Sequence, residues 1–357
     1  MSLRDRLAAQ IAADGPINVA QYMTACLHDP EFGYYATRPA LGPEGDFVTA
    51  PMISQMFGEL VGVWAASAWE LMGRPAQVRL VEMGPGDGTL MSDVLRTARH
   101  ATGFLEATEP WLVETSAPLI RLQRKRLGEA VQWAASLAEV PRGAPLLVLA
   151  NELLDCLPAR QFVRTAAGWA EQVVGLDAQG ALAFGLAATP AQGLLPDAAP
   201  GQVFEQSSAQ AALGAELGLR LAEDGGAALL IDYGRAEPGF GDTLQALSRH
   251  RNVDPLASPG EADLTVHADS PAVMAAARAQ GAQAAILTQA EFLARMGIGV
   301  RAEALVRAAP GRTGVIGREL NRLVSADEMG ELFKVCAIHS PGWTPPAFED
   351  VAAEDAT

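Results

Sequence analysis

The chain of 357 residues is short of cysteine, of positive charge and of long apolar runs. Cys26, Cys156 and Cys336 are far apart and odd in number, with no C-x-x-C and no paired-histidine spacing. That pattern disfavours a disulfide framework and a structural zinc site, and no metal is expected. A reducing cytoplasm fits it best. Lys and Arg total 26 against 42 Asp and Glu, a formal net charge of −16. Nucleic acid is therefore disfavoured as the main partner, because phosphate binding needs concentrated cations. The local basic cluster Arg121, Arg124, Lys125 and Arg126 reads as the solvated end of a helix. No apolar run reaches membrane-spanning length, and even Pro145–Leu154 is broken by Asn151 and Glu152. An integral membrane segment is not expected. Met1–Asp14 holds no continuous apolar segment and carries Asp5, unlike a secretory signal or a mitochondrial presequence. The basic residues are nearly all Arg and the chain is rich in Ala, a composition associated with GC-rich bacterial genomes, so a bacterial cytoplasmic protein is expected.

What is present is 49% hydrophobic content, enough for a large core. The pattern predicts a helix over Leu3–Ala13 and another starting at Asn18, a plausible N-cap. An aromatic, Gly/Pro-rich segment follows, His28–Pro51, then a long apolar helix from about Ser54 to Met72 that stops at Gly73. From Gln77 strands alternate with helices: Val78–Met83, Trp111–Glu114, Val131–Ala134, Pro145–Asn151 and Ala227–Asp232 read as strands. That alternation predicts an α/β fold, a doubly wound Rossmann-like sheet, mostly parallel and covered on both faces. Arg160–Leu186 reads as an inserted β-ribbon with turns at Gly168 and Gln179-Gly180. A second insertion, Arg235–Gly260, is rich in Gly, Pro and Arg. The tail predicts a helix over Pro271–Gln280, a strand over Ala282–Leu287, helices to about Val324 and a last strand near Phe333–Ile338.

The chemistry concentrates where strands end. Glu82-Met83-Gly84-Pro85-Gly86-Asp87-Gly88-Thr89 follows the first strand of the α/β region. Gly84 and Gly86 let the backbone approach a nucleotide, and the next helix offers free N–H groups. Glu114 ends the next strand, where a carboxylate can accept both hydroxyls of a ribose. The turn has Thr89 where a dinucleotide fingerprint has glycine, and it lacks the Lys-Ser/Thr pair of a P-loop. Glu82 and Asp87 would repel pyrophosphate and suit a cationic sulfonium and ammonium. A phosphate-free adenosyl cofactor is the expectation.

Asn151 and Glu152 end the fourth strand, and Asp155 follows three residues later, on the same side of a helical turn if one forms there. Paired carboxylates can hold a guanidinium through two hydrogen bonds and make one of its nitrogens more nucleophilic. The bland alternative is a helix N-terminus carrying acids for the helix dipole alone. Cys156 reads as an apolar filler. Asp232-Tyr233 ends the fifth strand and faces the same crevice. Asp263, Thr265, His267 and Asp269 alternate with apolar residues, as on one face of a strand. His267, flanked there by acids, can serve as a general base, or it is a hydrogen-bonded structural residue. His28 and His339 read as structural.

These segments together resemble the MidA-type family, which includes the mitochondrial complex I assembly factor that methylates an arginine. The matching texts are Gly15-Pro16-Ile17, Tyr22-Met23, Asp29-Pro30-Glu31-Phe32-Gly33-Tyr34-Tyr35, Gly45-Asp46-Phe47-Val48-Thr49 and Ile53–Glu59. They continue through the glycine turn, Asn151-Glu152, Asp155, Ile231–Gly234, Gly241–Gln245, His250, Asp254-Pro255-Leu256, Pro259-Gly260, Asp263-Leu264-Thr265, His267, Thr288–Leu293 and Met329–Val335. The resemblance implies S-adenosylmethionine as cofactor, a protein arginine as acceptor, and a role in respiratory complex I biogenesis with a complex I subunit as partner. With no internal repeat and no low-complexity linker, the chain reads as one decorated domain: an N-terminal helical extension, 1–75, and a methyltransferase domain, 76–357, with insertions at about 160–205 and 235–260; the resemblance makes the aromatic N-terminal loop a lid over the cofactor. Thr49, Ser54 and Gln55 become candidate cofactor contacts, Glu152 and Asp155 candidate catalytic residues, and Asp232, Tyr233 and His267 candidate substrate contacts. Two positions depart from the family pattern: Met52 stands where Glu is usual, and Asp87 where Arg is usual. They motivate an alternative, a catalytically weak scaffold that binds a partner protein.

Overall fold

The computed structural model describes residues 2–37, 49–191, 195–349 and 351. Most of the Gly45–Thr49 motif and the centre of the aromatic loop, with Phe47, lie outside the described residues. The chain divides into two compact units. One comprises Val48–Leu153, Ala212–Ala236 and Ser270–Thr357; the other comprises Met1–Phe47, Leu154–Ala211 and Glu237–Asp269.

The first unit is built on strands β1 (Val78–Met83), β2 (Thr108–Val113), β3 (Gln132–Ala134), β4 (Leu146–Asn151), β5 (Gly226–Arg235), β6 (Gln283–Thr288) and β7 (Phe333–His339). Side by side their order is β3-β2-β1-β4-β5-β7-β6. Neighbours from β3 to β5 are parallel, and β7 runs antiparallel to both β5 and β6. This is the Rossmann-like α/β sheet that the strand–helix alternation predicts. Every residue of β1 is buried, as are Leu146–Ala150 of β4. Parallel strands covered on both faces read as continuous apolar runs for that reason.

The helix Gln55–Leu71 starts at Ser54, whose hydroxyl accepts the Met56 N–H, and Gly73 follows its end at φ 86°. Phe57, Val61 and Trp64 of this helix join Met91 and Val94 of helix Thr89–Ala98, and Leu80, Leu147 and Leu229 of the sheet, in one core. Each such side chain, fully buried, stabilises by about 1.5–3 kcal/mol over leaving it in water. After β1 the chain turns to β2 and β3 on one side, then crosses to β4 on the other. The carboxyl ends of β1 and β4 therefore border the switch point where open α/β sheets leave a ligand crevice.

The second unit opens with helices Leu3–Asp14 and Val19–His28, each started by a capping box, Ser2 with Asp5 and Asn18 with Gln21. Its ribbon strands Arg160–Thr165, Gly168–Leu176 and Leu182–Pro190 match the β-structure expected there. Two further strands join them: Val203–Gln206 pairs with Arg160–Val163, and Ile17–Asn18 pairs with Val173–Val174. Within Arg235–Gly260, a hairpin pairs Gln245–Ser248 with Arg251–Val253, and Gln245–Leu247 also pairs with Asp263–Thr265. The Asp29–Gly33 motif is a packed turn. Asp29 Oδ1 accepts the N–H groups of Glu31 and Phe32, Arg6 pairs with its other oxygen, and Arg6 lies over the Phe32 ring. A side chain at Gly33 would put its Cβ 2.5 Å from the Asp29 backbone.

One sequence-based expectation fails here. Asp263–Asp269 is not a continuous alternating strand; strand geometry covers Asp263–Thr265 and Ala268–Asp269 only. Between them the Val266 N–H donates to the Asp155 carbonyl and the His267 N–H donates to Thr243 Oγ1, which diverts the backbone from strand pairing. Asp263 and Thr265 are both buried. All three cysteines are buried and unbridged. No described helix is long and apolar enough to cross a membrane.

Candidate active site

At the end of β1 the backbone must turn sharply, and Gly84, Gly86 and Gly88 all have left-handed φ, 62°, 54° and 81°. Only glycine enters that region without steric penalty. The Gly84 N–H donates to Val113 O at the end of β2, and the Gly88 N–H to Pro85 O, so the loop is pinned at both ends. Gly88 then caps the helix Thr89–Ala98, whose first N–H groups carry the positive end of its dipole.

Asp87 Oδ1 accepts the Thr89 N–H at 3.0 Å and its hydroxyl at 2.6 Å, and Oδ2 pairs with Arg126. The departure at Asp87 thus has a local explanation. The basic cluster is only partly solvated: Arg126 holds Asp87, and Arg124 lies over the Trp133 ring at 4.9 Å.

Glu82 is 3% exposed, and its Oε2 has no hydrogen-bond partner among the described residues. Burial pushes its carboxyl well above the usual range, a hydrogen bond from the Met91 backbone opposes that, and the charges of Asp87 and Glu114 add to it. Glu114 is half-buried. Its Oε1 accepts the N–H groups of Thr115 and Ser116 at 2.8 and 2.7 Å, and its Oε2 faces Gln123 Nε2 at 3.3 Å. Burial raises its pKa, while those hydrogen bonds hold it down.

At the end of β4, Asn151 Nδ2 donates to Glu152 Oε1 at 3.0 Å, and the Ala50 N–H reaches the same oxygen at 3.2 Å. Asn151 Oδ1 is buried with no hydrogen-bond partner among the described residues. Glu152 has φ 53°, a left-handed backbone that a residue with a side chain rarely adopts. The helical turn expected to carry Glu152 and Asp155 does not form. The Glu152 N–H instead continues the sheet to Ile231 O of β5, and the chain then bends.

Asp232 is buried at the carboxyl end of β5, with its Oδ1 accepting the Tyr233 N–H, and the Tyr233 ring packs on Phe333. Thr49 precedes the short helix Ala50–Ile53 without a side-chain cap, Gln55 is exposed, and the buried Ser54 hydroxyl donates to Glu319 at 2.8 Å. The sheet unit thus holds Glu82, Gly84, Gly86, Glu114, Asn151, Glu152, Asp232, Tyr233, Thr49, Ser54 and Gln55. Asp155 and His267 belong to the other unit. There Asp155 is buried; burial raises the pKa of the Tyr35 phenol, the charges of Asp263 and Asp155 add to that, and the Tyr35 hydroxyl donates to Asp263 at 2.9 Å.

A residue the sequence reading passes over is Gln123, fully buried on helix Ala117–Leu127 and bonded to Gly86, Glu114 and Trp133. Its signal was a glutamine one turn from Leu119 on the apolar stripe of that helix.

The donor and acceptor set decides what the crevice can hold. Glu82 Oε2 and Asn151 Oδ1 are acceptors awaiting donors at the ends of adjacent strands, and Arg126, the cation paired with the turn, is spent on Asp87. Acceptors and carboxylates suit a ligand with ammonium, sulfonium and ribose hydroxyls, not one with phosphates. S-adenosyl-L-methionine fits that description.

Comparison with known proteins agrees. A family model described as "Putative S-adenosyl-L-methionine-dependent methyltransferase" matches residues 60–288. Protein arginine methyltransferase NDUFAF7, mitochondrial, of Danio rerio is 35% identical, aligned over 94% of this chain and 86% of its own. The protein of the same name from Homo sapiens is 34% identical, over 93% and 82%. Among solved structures, a Burkholderia thailandensis protein bound to S-adenosyl-homocysteine superposes with a TM-score of 0.86 at 29% identity, covering 99% of this chain and 96% of that one. The chain belongs to this family of S-adenosyl-L-methionine-dependent methyltransferases, and S-adenosyl-L-methionine is its cofactor.

Proposed function

We propose that this enzyme methylates an arginine of another protein, and that the acceptor is a subunit of respiratory complex I. The observation that carries the reading is Glu152: a carboxylate at the switch point, on a left-handed backbone, with one oxygen held by Asn151 Nδ2 and the Ala50 N–H. A left-handed non-glycine residue costs on the order of 1–3 kcal/mol and persists where surrounding structure imposes it, as at functional sites. The relatives named as protein arginine methyltransferases support the acceptor.

The cofactor, when bound, supplies an electrophilic methyl group on a sulfonium. Gly84 and Gly86 allow close backbone approach, Glu114 accepts ribose hydroxyls, and Glu82 and Asn151 accept from the ammonium group. Glu152 receives the acceptor guanidinium in paired hydrogen bonds, aligns one nitrogen and draws positive charge from it. Asp232 and Tyr233, on the same unit as Glu152, are the proposed substrate contacts.

The test is transfer of radiolabelled methyl from S-adenosylmethionine to a cell extract, followed by digestion of the labelled band. Label in methylarginine is the expected result; label in lysine or in small molecules overturns the acceptor. If the labelled band is not a complex I subunit, the acceptor's identity is overturned while arginine methylation stands.

A further inference from the structure

The amide of Gln123 touches three parts of the cofactor crevice at once. Its Nε2 donates to the Gly86 carbonyl at 2.7 Å and faces Glu114 Oε2 at 3.3 Å, while its Oε1 accepts the Trp133 indole N–H at 2.9 Å. The orientation is fixed by chemistry, because an indole only donates and a carbonyl only accepts, so a flipped amide would oppose like with like. Trp133 is itself seated on β3 with Arg124 over its ring. The helix carrying Gln123 packs close to the turn: a Cβ on Gly88 would meet Leu127 Cδ1 at 3.2 Å and Gln123 Cγ at 3.6 Å.

Glu114 divides its bonds unequally. Its Oε1 takes two backbone N–H groups, whereas Oε2 meets only the long Gln123 contact among the described residues. A carboxylate oxygen accepts about two hydrogen bonds, so Oε2 keeps capacity for a ribose hydroxyl.

We propose that Gln123 is a positioning residue for the cofactor: it ties the glycine turn to Glu114, aims Glu114 Oε2 at the ribose and so sets the preference for an intact ribose. The proposal rests on Glu114 as the ribose-binding acid. Mere packing would require neither the amide's two donors nor the indole that orients it.

The experiment measures, by calorimetry, the affinity of the full chain for S-adenosylhomocysteine and for its 2′,3′-dideoxyribose analogue. The variants are Glu114→Ala, Gln123→Leu and Trp133→Phe. The unaltered enzyme is expected to prefer the intact ribose by about tenfold or more, the scale of a hydrogen bond to a charged group. Glu114→Ala abolishes that preference, Gln123→Leu removes most of it and Trp133→Phe lowers it. If Glu114→Ala keeps the preference, Glu114 is not the ribose acid and the proposal fails with it. If Glu114→Ala loses the preference while both other variants retain it, the role of Gln123 alone is overturned. Equal weakening of both ligands by Gln123→Leu also overturns it, since that is the mark of packing. Should Gln123→Leu fail to fold, Trp133→Phe, which keeps an aromatic ring but loses the indole N–H, decides.

Discussion

Asp87 Oδ2 and Arg126 Nη2 lie 2.9 Å apart, so the acid that stands where the resembled family has arginine carries its own counter-charge. Asp87→Arg sets two cations against each other and removes the acceptor for the Thr89 N–H and hydroxyl. The pair is part-exposed, so screening keeps the ionic part below about 1 kcal/mol, and the lost cap-like bond adds about 1 kcal/mol. Urea denaturation should show a loss of about 1–2 kcal/mol. Asp87→Arg with Arg126→Asp should recover part of it; a double variant no better than the single one would show that the pairing is inert.

Glu82 gives the protein a pH signature. The unfolded chain releases this proton near 4.5 and the native chain only at higher pH, because burial opposes the charge. Between those values the native state holds more protons, so this residue makes stability fall as pH rises. Glu82→Gln should remove that slope, with melting temperatures of the cofactor-free protein converging on those of the unaltered enzyme at acid pH and exceeding them at neutral pH. A cationic cofactor stabilises the ionised form, so binding should release protons and tighten with rising pH in the same window. Calorimetry in buffers of different ionisation enthalpy reads those protons directly. An unchanged slope in Glu82→Gln would sink the account.

The cofactor pocket is tested from two sides. Gly86 has φ 54°, so Gly86→Val imposes both strain and bulk where we propose that the backbone approaches the ligand. It should abolish cofactor binding with the fold largely intact by circular dichroism; unchanged affinity in a folded variant would put the pocket elsewhere. Glu114→Ala should weaken binding by about 1.5–3 kcal/mol, as for a hydrogen bond to a charged group.

The sheet was readable because burial on both faces writes itself into the chain as apolar runs, and β1 begins and ends where Val78–Met83 predicts. Asn18 as N-cap and the turn at Gly168 followed from local chemistry in the same way. Ile17–Asn18 as a strand was not readable, since two residues carry no period and their partner is more than 150 residues away. Nor was the turn of Arg249 and His250, whose left-handed φ of 50° and 59° a hairpin usually assigns to glycine or asparagine. The glycines after β1 and Glu114 after β2 stand out in the sequence by type and place, and the structure puts them at those strand ends. Glu152 was visible as a carboxylate at a strand end, yet its left-handed backbone and its bonds to Asn151 and Ala50 depend on residues the sequence does not join. Gln123 was hidden because a buried amide acts through three partners on separate elements.

Glu152→Gln separates binding from chemistry. The substitution keeps side-chain length and an acceptor for Asn151 Nδ2 and the Ala50 N–H, so the left-handed turn and its anchoring should survive. It removes the negative charge that we assign to the acceptor guanidinium. Methyl transfer is an in-line displacement, so alignment and charge around the nucleophile carry most of the advantage. Turnover should therefore fall by roughly a hundredfold or more, the scale seen when a preorganised electrostatic contact is lost, with cofactor affinity unchanged. Asp155→Asn, made in parallel, should show a smaller loss if Asp155 assists and none if it serves only its own unit. The readouts are calorimetry with S-adenosylhomocysteine and methyl transfer to the labelled acceptor. Near-normal turnover in Glu152→Gln removes Glu152 from the mechanism, and lost cofactor affinity with intact folding reassigns it to the cofactor pocket.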